Sequence, residues 1–348
     1  MTGAAAGRVM AWLWGQDDNV GDSALRRGYA DALRRVGTID AYVGPASDSF
    51  VSGLGLATTD SVCRSFVPWL VSGFRGARPS VIAVNAGEFS MSGSYTVKML
   101  ALVPWLRAMR WRGVRVVWLG AAVPRLVARR TWLFRALFRS CDEVRWRDGQ
   151  TSRIFEHAPW MPDWALGLDS RGASRPRTSL VVSLRSDRPY PTPEWLDAVR
   201  RCSARLEVET VVIAQVGRDS ARARELAAVL GGRAVVFEEG THAVQEQRVR
   251  DEYAGASVIL SDRLHALLIA AAEGAVPLAW CEAATDKIQR HFDALGATWA
   301  TCDRGASTGQ IDGLSARWLE QRRADTAGIV ADARSLLAAV AGETLPAI

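Results

Sequence analysis

A chain of 348 residues is long enough for two domains of ordinary size, each with a core of its own. Hydrophobic residues make up 49% of it and charged residues 23%, which excludes a disordered or fibrous protein and fits a soluble globular one. The formal net charge of +6 favours anionic partners, a class that spans nucleic acid, anionic lipid and phosphorylated metabolites.

Short apolar runs alternate with amphipathic helical stretches from end to end, the pattern of doubly wound α/β domains. The run Val9–Trp14 predicts a strand, and Ser23–Val36 predicts a helix whose Leu25, Tyr29, Ala32, Leu33 and Val36 keep one face apolar. Between them lies the polar loop Gly15–Asp22, containing Asn19, in which Gly21 permits close backbone approach and Asp22 fits the N-cap of the helix. Such a loop is either a capped turn or part of a ligand cleft, and without GxGxxG spacing it is not a dinucleotide site. A strand over Val81–Asn85 runs into Ala86-Gly87-Glu88, where Asn85 suits the orientation of a hydroxyl and Glu88 is either a base or a solvated carboxylate. Val114–Leu119 is the next strand. In the stretch Arg125–Arg139 that follows, Leu126, Val127, Leu133, Phe134, Leu137 and Phe138 share one helical face, while Arg125, Arg129, Trp132, Arg135 and Arg139 lie away from it. Strand Glu143–Trp146 leads into Arg147-Asp148-Gly149-Gln150-Thr151, where Asp148 or Thr151 caps a helix or Arg147 meets a ligand. Asp163, a little further on, suits either purpose.

At Leu168–Thr178 the sequence becomes polar, rich in Gly and Pro, and loses periodicity, which marks an interdomain linker over 169–178. The second half restarts with strands over Leu180–Leu184, Val211–Gln215, Ala234–Phe237, Val258–Leu260 and Val276–Trp280. Residues 1–168 and 179–311 are thus expected to form two Rossmann-like parallel-sheet domains facing a cleft, with a helical region over 312–348 packing back on the first. Ligands in such sheets bind outside the carboxyl ends of the strands. Arg185 stands at one such end, and a strand has no room there for a charge except toward a cleft. Ser261-Asp262-Arg263-Leu264-His265 stands at another and opens the strong helix pattern Ala266–Glu273, closed by Gly274. Free backbone N–H groups at a helix start attract an anion, an Arg adds a fork of donors, and a His adds a mobile proton. Lys287, after the last strand, offers a further positive charge or is solvated.

Several chemistries are not indicated. Lys98 and Lys287 are the only lysines, and the arginines are scattered among hydrophobic segments, so nucleic acid is not an expected partner. Cys63, Cys141, Cys202, Cys281 and Cys302 are far apart and odd in number, which fits a reducing cytosol. His157, His242 and His291 have no metal-ligand spacing, and no GxSxG element marks a nucleophilic serine. No apolar run approaches the roughly 18 residues a membrane span needs, and the N-terminal run is too short for a signal peptide. A cytoplasmic protein without metal or cofactor is expected.

In their order along the chain, these elements resemble the polysaccharide pyruvyl transferases. The similarity rests on Asn19-Val20-Gly21-Asp22-Ser23-Ala24-Leu25, the turn Asn85–Gly87, Val144–Ser152 with Met161–Leu166, Ser183-Leu184-Arg185, Ser261–Pro277 and Asp286-Lys287-Ile288. The resemblance implies a glycosyltransferase-B-like fold and a reaction that moves the enolpyruvyl part of phosphoenolpyruvate onto a sugar as a cyclic ketal, releasing phosphate. It implies that phosphoenolpyruvate is the co-substrate and that a sugar, polysaccharide or lipid-linked glycan is the acceptor. Arg185, Ser261, Arg263 and His265 would hold the donor on the second domain, with His265 as the acid. Asn19, Asp22, Asn85, Glu88, Arg147, Asp148 and Lys287 would line the cleft or the acceptor side. Where the family commonly carries a run of glycines, this chain has Asn85-Ala86-Gly87-Glu88, a departure on the acceptor side. Two other readings compete: a nucleotide-sugar glycosyltransferase of the same architecture, and a basic membrane-surface or nucleic-acid-binding module using Arg125–Arg139. The last is compatible with the first, as a peripheral contact of an enzyme with lipid-linked acceptors.

Overall fold

The computed structural model describes residues 7–346 apart from 90–92, 124–126, 156–157, 172–174, 238–239, 282–286 and 304–305. The chain divides into two compact units. The first comprises Met1–Gln16, Leu25–Trp164 and Ser335–Ile348, and the second Asp17–Ala24 and Ala165–Arg334.

In the first unit the strands are β1 (Gly7–Trp12), β2 (Gly37–Tyr42), β3 (Ser61–Cys63), β4 (Val81–Ala83), β5 (Gly87–Glu88), β6 (Arg115–Ala122) and β7 (Glu143–Trp146). They pair in parallel in the order β3-β2-β1-β4-β6-β5, with β7 also on β6. The order reverses between β1 and β4, the place where an open α/β sheet offers a crevice at its carboxyl edge. Strands buried on both faces must be apolar along their length. Val9, Met10, Ala11 and Trp12 of β1 accordingly have at most 1% exposure. The core beside them is dominated by aromatic rings in edge-on contact, such as Trp118 against Trp146 at 5.1 Å between centroids and Phe89 against Trp118, also at 5.1 Å. Each large side chain so buried contributes about 1.5–3 kcal/mol relative to leaving it exposed. The closing stretch of the chain also belongs here, with Arg115 Nε donating to the Thr344 carbonyl at 2.5 Å.

The second unit contains β8 (Ser179–Ser183), β9 (Glu209–Ile213), β10 (Arg233–Val235), β11 (Ala256–Ser261), β12 (Val276–Cys281) and β13 (Thr301–Asp303). All pair in parallel in the order β10-β9-β8-β11-β12-β13, the doubly wound arrangement with its reversal between β8 and β11. Ser183 and Ser261 lie side by side at the ends of those two strands. The described residues of Leu168–Thr178 are hydrogen-bonded into this unit. Arg171 N donates to Glu273 Oε2 at 2.7 Å, and the Arg177 guanidinium donates to the Glu273 and Tyr253 carbonyls.

Two kinds of expectation need correcting. Strands β2, β3 and β13 escape a search for apolar runs because β3 and β13 span only three residues each and β2 carries polar Thr38 and Asp40. Asp40 is accommodated sideways, accepting from Arg8 Nε and Ser61 Oγ at 2.6 Å each. The first helix runs Val20–Leu33, so Asp22 lies inside its first turn and is not the N-cap. Asn19 takes that role, its Oδ1 accepting from Gly21 N at 3.0 Å. The terminal helix is Ala316–Thr344, preceded by a separate short helix Ser307–Asp312.

Candidate active site

At the reversal point of the second sheet, the end of β11 is locked to the end of β8. Ser261 is fully buried, donates to the Ser183 carbonyl at 2.6 Å and accepts from Arg263 N at 3.0 Å. The hydroxyl therefore shapes the turn that presents Arg263. Arg263 is the N-cap residue of the helix Leu264–Ala272, whose side chains are buried on every side. Arg263 Nε donates to Asp219 Oδ2 at 2.6 Å, with a second contact through Nη2. Burial pulls the Arg263 guanidinium below its usual range, opposed mainly by the charge of Asp219. Asp219, only 2% exposed, uses its other oxygen to accept from Ser186 N and Ser186 Oγ at 2.9 Å each. It ties the loop after β9 to both arginine-bearing loops.

Arg185 follows β8 directly. Its backbone N–H donates to Asp262 Oδ1 at 2.8 Å, and its guanidinium forks onto Asp187 at 2.8 and 2.6 Å. The fork raises the Arg185 pKa and holds the Asp187 carboxyl well below the usual carboxylate range. The Asp187 side chain is 53% exposed and that of Asp219 is 2% exposed. A ligand carboxylate or phosphate can therefore take the place of Asp187 on Arg185, whereas Asp219 stays as part of the frame.

His265 is the second residue of the same helix, and beneath it lies the Asn19–Ala24 stretch of the N-terminal motif. A Cβ on Gly21 would fall 2.5 Å from His265 Cβ, 2.8 Å from His265 Nδ1 and 2.3 Å from Gln215 Nε2, so only glycine allows this approach. The Asp22 carboxylate lies 3.9 Å from His265 Nδ1. The stretch is sewn to the second unit by an antiparallel bridge between Asn19 and Val216, by Val20 N donating to the Gln215 carbonyl, and by Gly217 N donating to the Asp18 carbonyl. His242 completes the seam. Its Nε2 donates to the Asp17 carbonyl at 2.7 Å and its Nδ1 meets Ser23 Oγ at 3.0 Å, while burial pushes its pKa down. The fold thus brings Asp22, Arg185, Ser261, Arg263 and His265 to one edge of one unit.

The remaining sequence candidates stand on other elements. Lys287 opens the helix Lys287–Ala294, and its carbonyl accepts from His291 Nδ1 at 2.7 Å; its neighbour Asp286 is outside the described residues. In the first unit, Asn85 is buried, its Oδ1 accepting from Arg26 Nε at 3.2 Å and its Nδ2 donating to the Trp14 carbonyl at 2.7 Å. Arg147 is paired with Asp163 at 2.6 Å, their side chains 2% and 1% exposed. Asp148 caps the helix Gly149–Ile154 through Thr151 N at 2.7 Å. These three residues serve the architecture of the first unit, and Glu88 is exposed on the short strand β5, opposite Ala122. Asp187, Asp219, Asp262, Gln215 and His242 also stand around these residues, beyond those the sequence patterns point to. Asp219 had a usable signal, since Val216-Gly217-Arg218-Asp219 follows an apolar strand just as the arginine loops do. Among the described residues no group of three or more His, Cys, Asp and Glu side chains is placed to hold a metal ion.

A family model described as polysaccharide pyruvyl transferase matches residues 19–277. No curated protein sequence matches the chain. Among solved structures, a glycosyltransferase from Rickettsia africae is similar with a TM-score of 0.61 at 9% identity, covering 97% of each chain. Spinosyn forosaminyltransferase SpnP is similar with a TM-score of 0.56 at 13% identity, covering 98% of each chain. MnaA of S. aureus, solved with UDP, is similar with a TM-score of 0.58 at 11% identity, covering 97% of this chain and 94% of that one. At such identities these likenesses establish the two-domain parallel-sheet fold of glycosyltransferases and nothing of the ligand.

Proposed function

Because the chain belongs to the polysaccharide pyruvyl transferase family, we propose that it moves pyruvate from phosphoenolpyruvate onto a sugar of a cell-surface glycan or glycolipid precursor, as a cyclic ketal. The observation that carries this reading is the pair of arginines, Arg185 and Arg263, at the adjacent ends of β8 and β11, with His265 two residues further on. Phosphoenolpyruvate has two anionic groups, a carboxylate and a phosphate, and two guanidinium forks match them.

The chemistry asked of the site is a proton delivered to C3, attack of a sugar hydroxyl on the electrophilic C2, loss of phosphate, and closure by a second hydroxyl. The two hydroxyl protons released balance the one taken up by C3 and the one that leaves with phosphate. His265 supplies the proton to C3, and Asp22 with Gly21 beneath positions its ring. The arginines neutralise the donor and stabilise the departing phosphate. No cofactor or metal enters this scheme. Calorimetric titration of phosphoenolpyruvate into the wild type and Arg263→Ala tests it: binding to the wild type, lost in the variant, is expected. Turnover of a UDP-sugar with no response to phosphoenolpyruvate would replace this reading by a nucleotide-sugar transferase.

A peripheral membrane contact belongs to the same proposal. In the helix Ala128–Phe138, Leu133, Phe134 and Leu137 are committed to the core, while Trp132 is 61% exposed and Arg135 and Arg139 face outward. Arg125 is outside the described residues. An aromatic ring with flanking arginines suits the surface of an anionic bilayer. No helix among the described residues is long and apolar enough to cross a membrane. Cosedimentation with anionic vesicles that disappears in Trp132→Ala/Arg135→Ala is the expected result, and equal recovery with neutral vesicles would exclude the contact.

A further inference from the structure

The carboxyl edge of the first sheet holds a cation of its own. Lys98, on the helix Gly93–Trp111, is one of only two lysines in the chain, the other being Lys287. Its ammonium stands 3.9 Å from the centroid of the Trp14 ring, 5.5 Å from Tyr42, 5.8 Å from Phe66 and 5.9 Å from Trp12. It donates to Tyr42 Oη at 3.1 Å. Among the described residues no carboxylate pairs with it.

The four rings come from one place in the fold. Trp12 ends β1 and Trp14 lies two residues beyond it, Tyr42 ends β2, and Phe66 follows β3. Lys98 Nζ therefore sits over the carboxyl ends of three adjacent parallel strands, next to the reversal between β1 and β4, where sheets of this kind take their ligands. Gly44, at φ +59°, would bring a Cβ within 3.1 Å of the Trp14 ring, so the backbone packs closely against that ring.

A lysine that served packing alone would have its charge solvated or paired. Here desolvation works against the charge, lowering the Lys98 pKa, and the electron-rich ring faces work to retain it. The balance is a fixed, half-buried ammonium with hydrogen-bond donors to spare. Trp14 and Phe66 are only half-buried, leaving apolar ring surface beside the charge. One cation flanked by ring surface suits a saccharide that carries a single anionic group and packs its C–H face against the aromatics.

We propose that Lys98 is the anion anchor of the acceptor subsite, recognising a phosphate or carboxylate borne by the acceptor saccharide. The word acceptor rests on the function proposed above: the donor's two anionic groups are met by Arg185 and Arg263 in the second unit, so an anion at Lys98 belongs to the other substrate.

Having only two lysines makes the test direct. With lysine labelled by carbon-13 at Cε, the protein gives two side-chain signals, and the one lost in Lys98→Arg is assigned to Lys98. The labelled protein is titrated at constant ionic strength, without phosphoenolpyruvate, with N-acetylglucosamine 1-phosphate, glucuronate, neutral N-acetylglucosamine and inorganic phosphate. A saturable shift of the Lys98 signal is expected with one of the two charged sugars, at least tenfold tighter than with inorganic phosphate and absent with the neutral sugar. The sugar phosphate responding assigns a phosphorylated acceptor, and glucuronate responding assigns an acidic sugar. A Lys98 signal that moves with neither charged sugar, or moves equally with the neutral sugar or with inorganic phosphate, overturns the inference. Phosphoenolpyruvate calorimetry on the same protein reports the donor reading separately, so either can fail without the other.

Discussion

At the carboxyl edge of the second sheet, Arg185, Asp187, Asp219, Asp262, Arg263 and His265 gather around two strand ends. The corresponding edge of the first sheet carries Trp12, Trp14, Tyr42 and Phe66 around a single lysine. Both sheets reverse their strand order beside their first strand, so topology gives each a crevice in the same position. What differs is the currency of recognition. At the edge of the second sheet Arg185 and Arg263 are each oriented by a carboxylate, and on the function proposed above an incoming anion competes with the more exposed of the two, Asp187. In the first unit the charge is oriented by ring faces, which cannot be displaced. On the function proposed above, one scaffold prepares a site for a small molecule with two anionic groups by ion pairing and a site for a larger ring-shaped partner by apolar surface.

The contrast can be broken or sharpened by four substitutions. His265→Gln should have the largest effect, lowering turnover by about 100- to 10,000-fold while phosphoenolpyruvate affinity changes little; near-normal turnover would remove His265 as the acid. Arg147→Met should remove the buried ion pair with Asp163 and cost about 3–5 kcal/mol of stability in urea unfolding, with KM for phosphoenolpyruvate unchanged. Gly21→Ala should force apart its contact with His265 and Gln215 at about 1–3 kcal/mol, and should be read as reduced kcat with the fold retained by circular dichroism. Asp187→Asn should have the smallest effect, because the pair with Arg185 is exposed. Stability should fall by less than about 1 kcal/mol, and phosphoenolpyruvate should bind a few-fold tighter once the fork is released.

The pH dependence of that last variant has a definite sign. The Asp187 carboxyl is held below its ordinary value in the folded protein, mainly by its bond to Arg185. The folded state therefore binds fewer protons there than the unfolded state. The stabilisation is present above about pH 4, where the unfolded carboxyl is ionised, and is lost as the pH falls through the lower value of the folded one. Wild type and Asp187→Asn should draw together in stability as acid is added, and a difference that widened with falling pH would contradict the pairing.

Much of this was legible in the residues alone. Strands β8, β11 and β12 are apolar because helices cover both faces of their sheet, and Arg185 and Arg263 could be placed at strand ends for that reason. The family resemblance added the donor chemistry. What stayed hidden was set by contacts distant in sequence. Asn19 and Asp22 follow β1 directly and so read as part of the first domain, yet their stretch clusters with the second unit through Gln215, Val216 and His242. No local pattern reports such partners. The one trace is Gly21, whose need for space could be suspected but not assigned to His265. Asn85 and Arg147 illustrate the converse, because a polar residue after a strand looks the same in sequence whether it meets a ligand or a buried partner such as Arg26 or Asp163.

The seam between Ser23 and His242 joins residues 219 positions apart. During synthesis, the segment Asp17–Ala24 leaves the ribosome long before the strands that will hold it, and the pocket around His265 is finished only when nearly the whole chain has emerged. The second unit is discontinuous in the gene even though it is contiguous in space. A fragment starting at Ala165 would keep both arginines and the histidine, but it would lack the glycine floor on which the imidazole rests. Supplying Asp17–Ala24 as a separate peptide, or grafting it by circular permutation onto the end of the fragment, is the way to rebuild the floor.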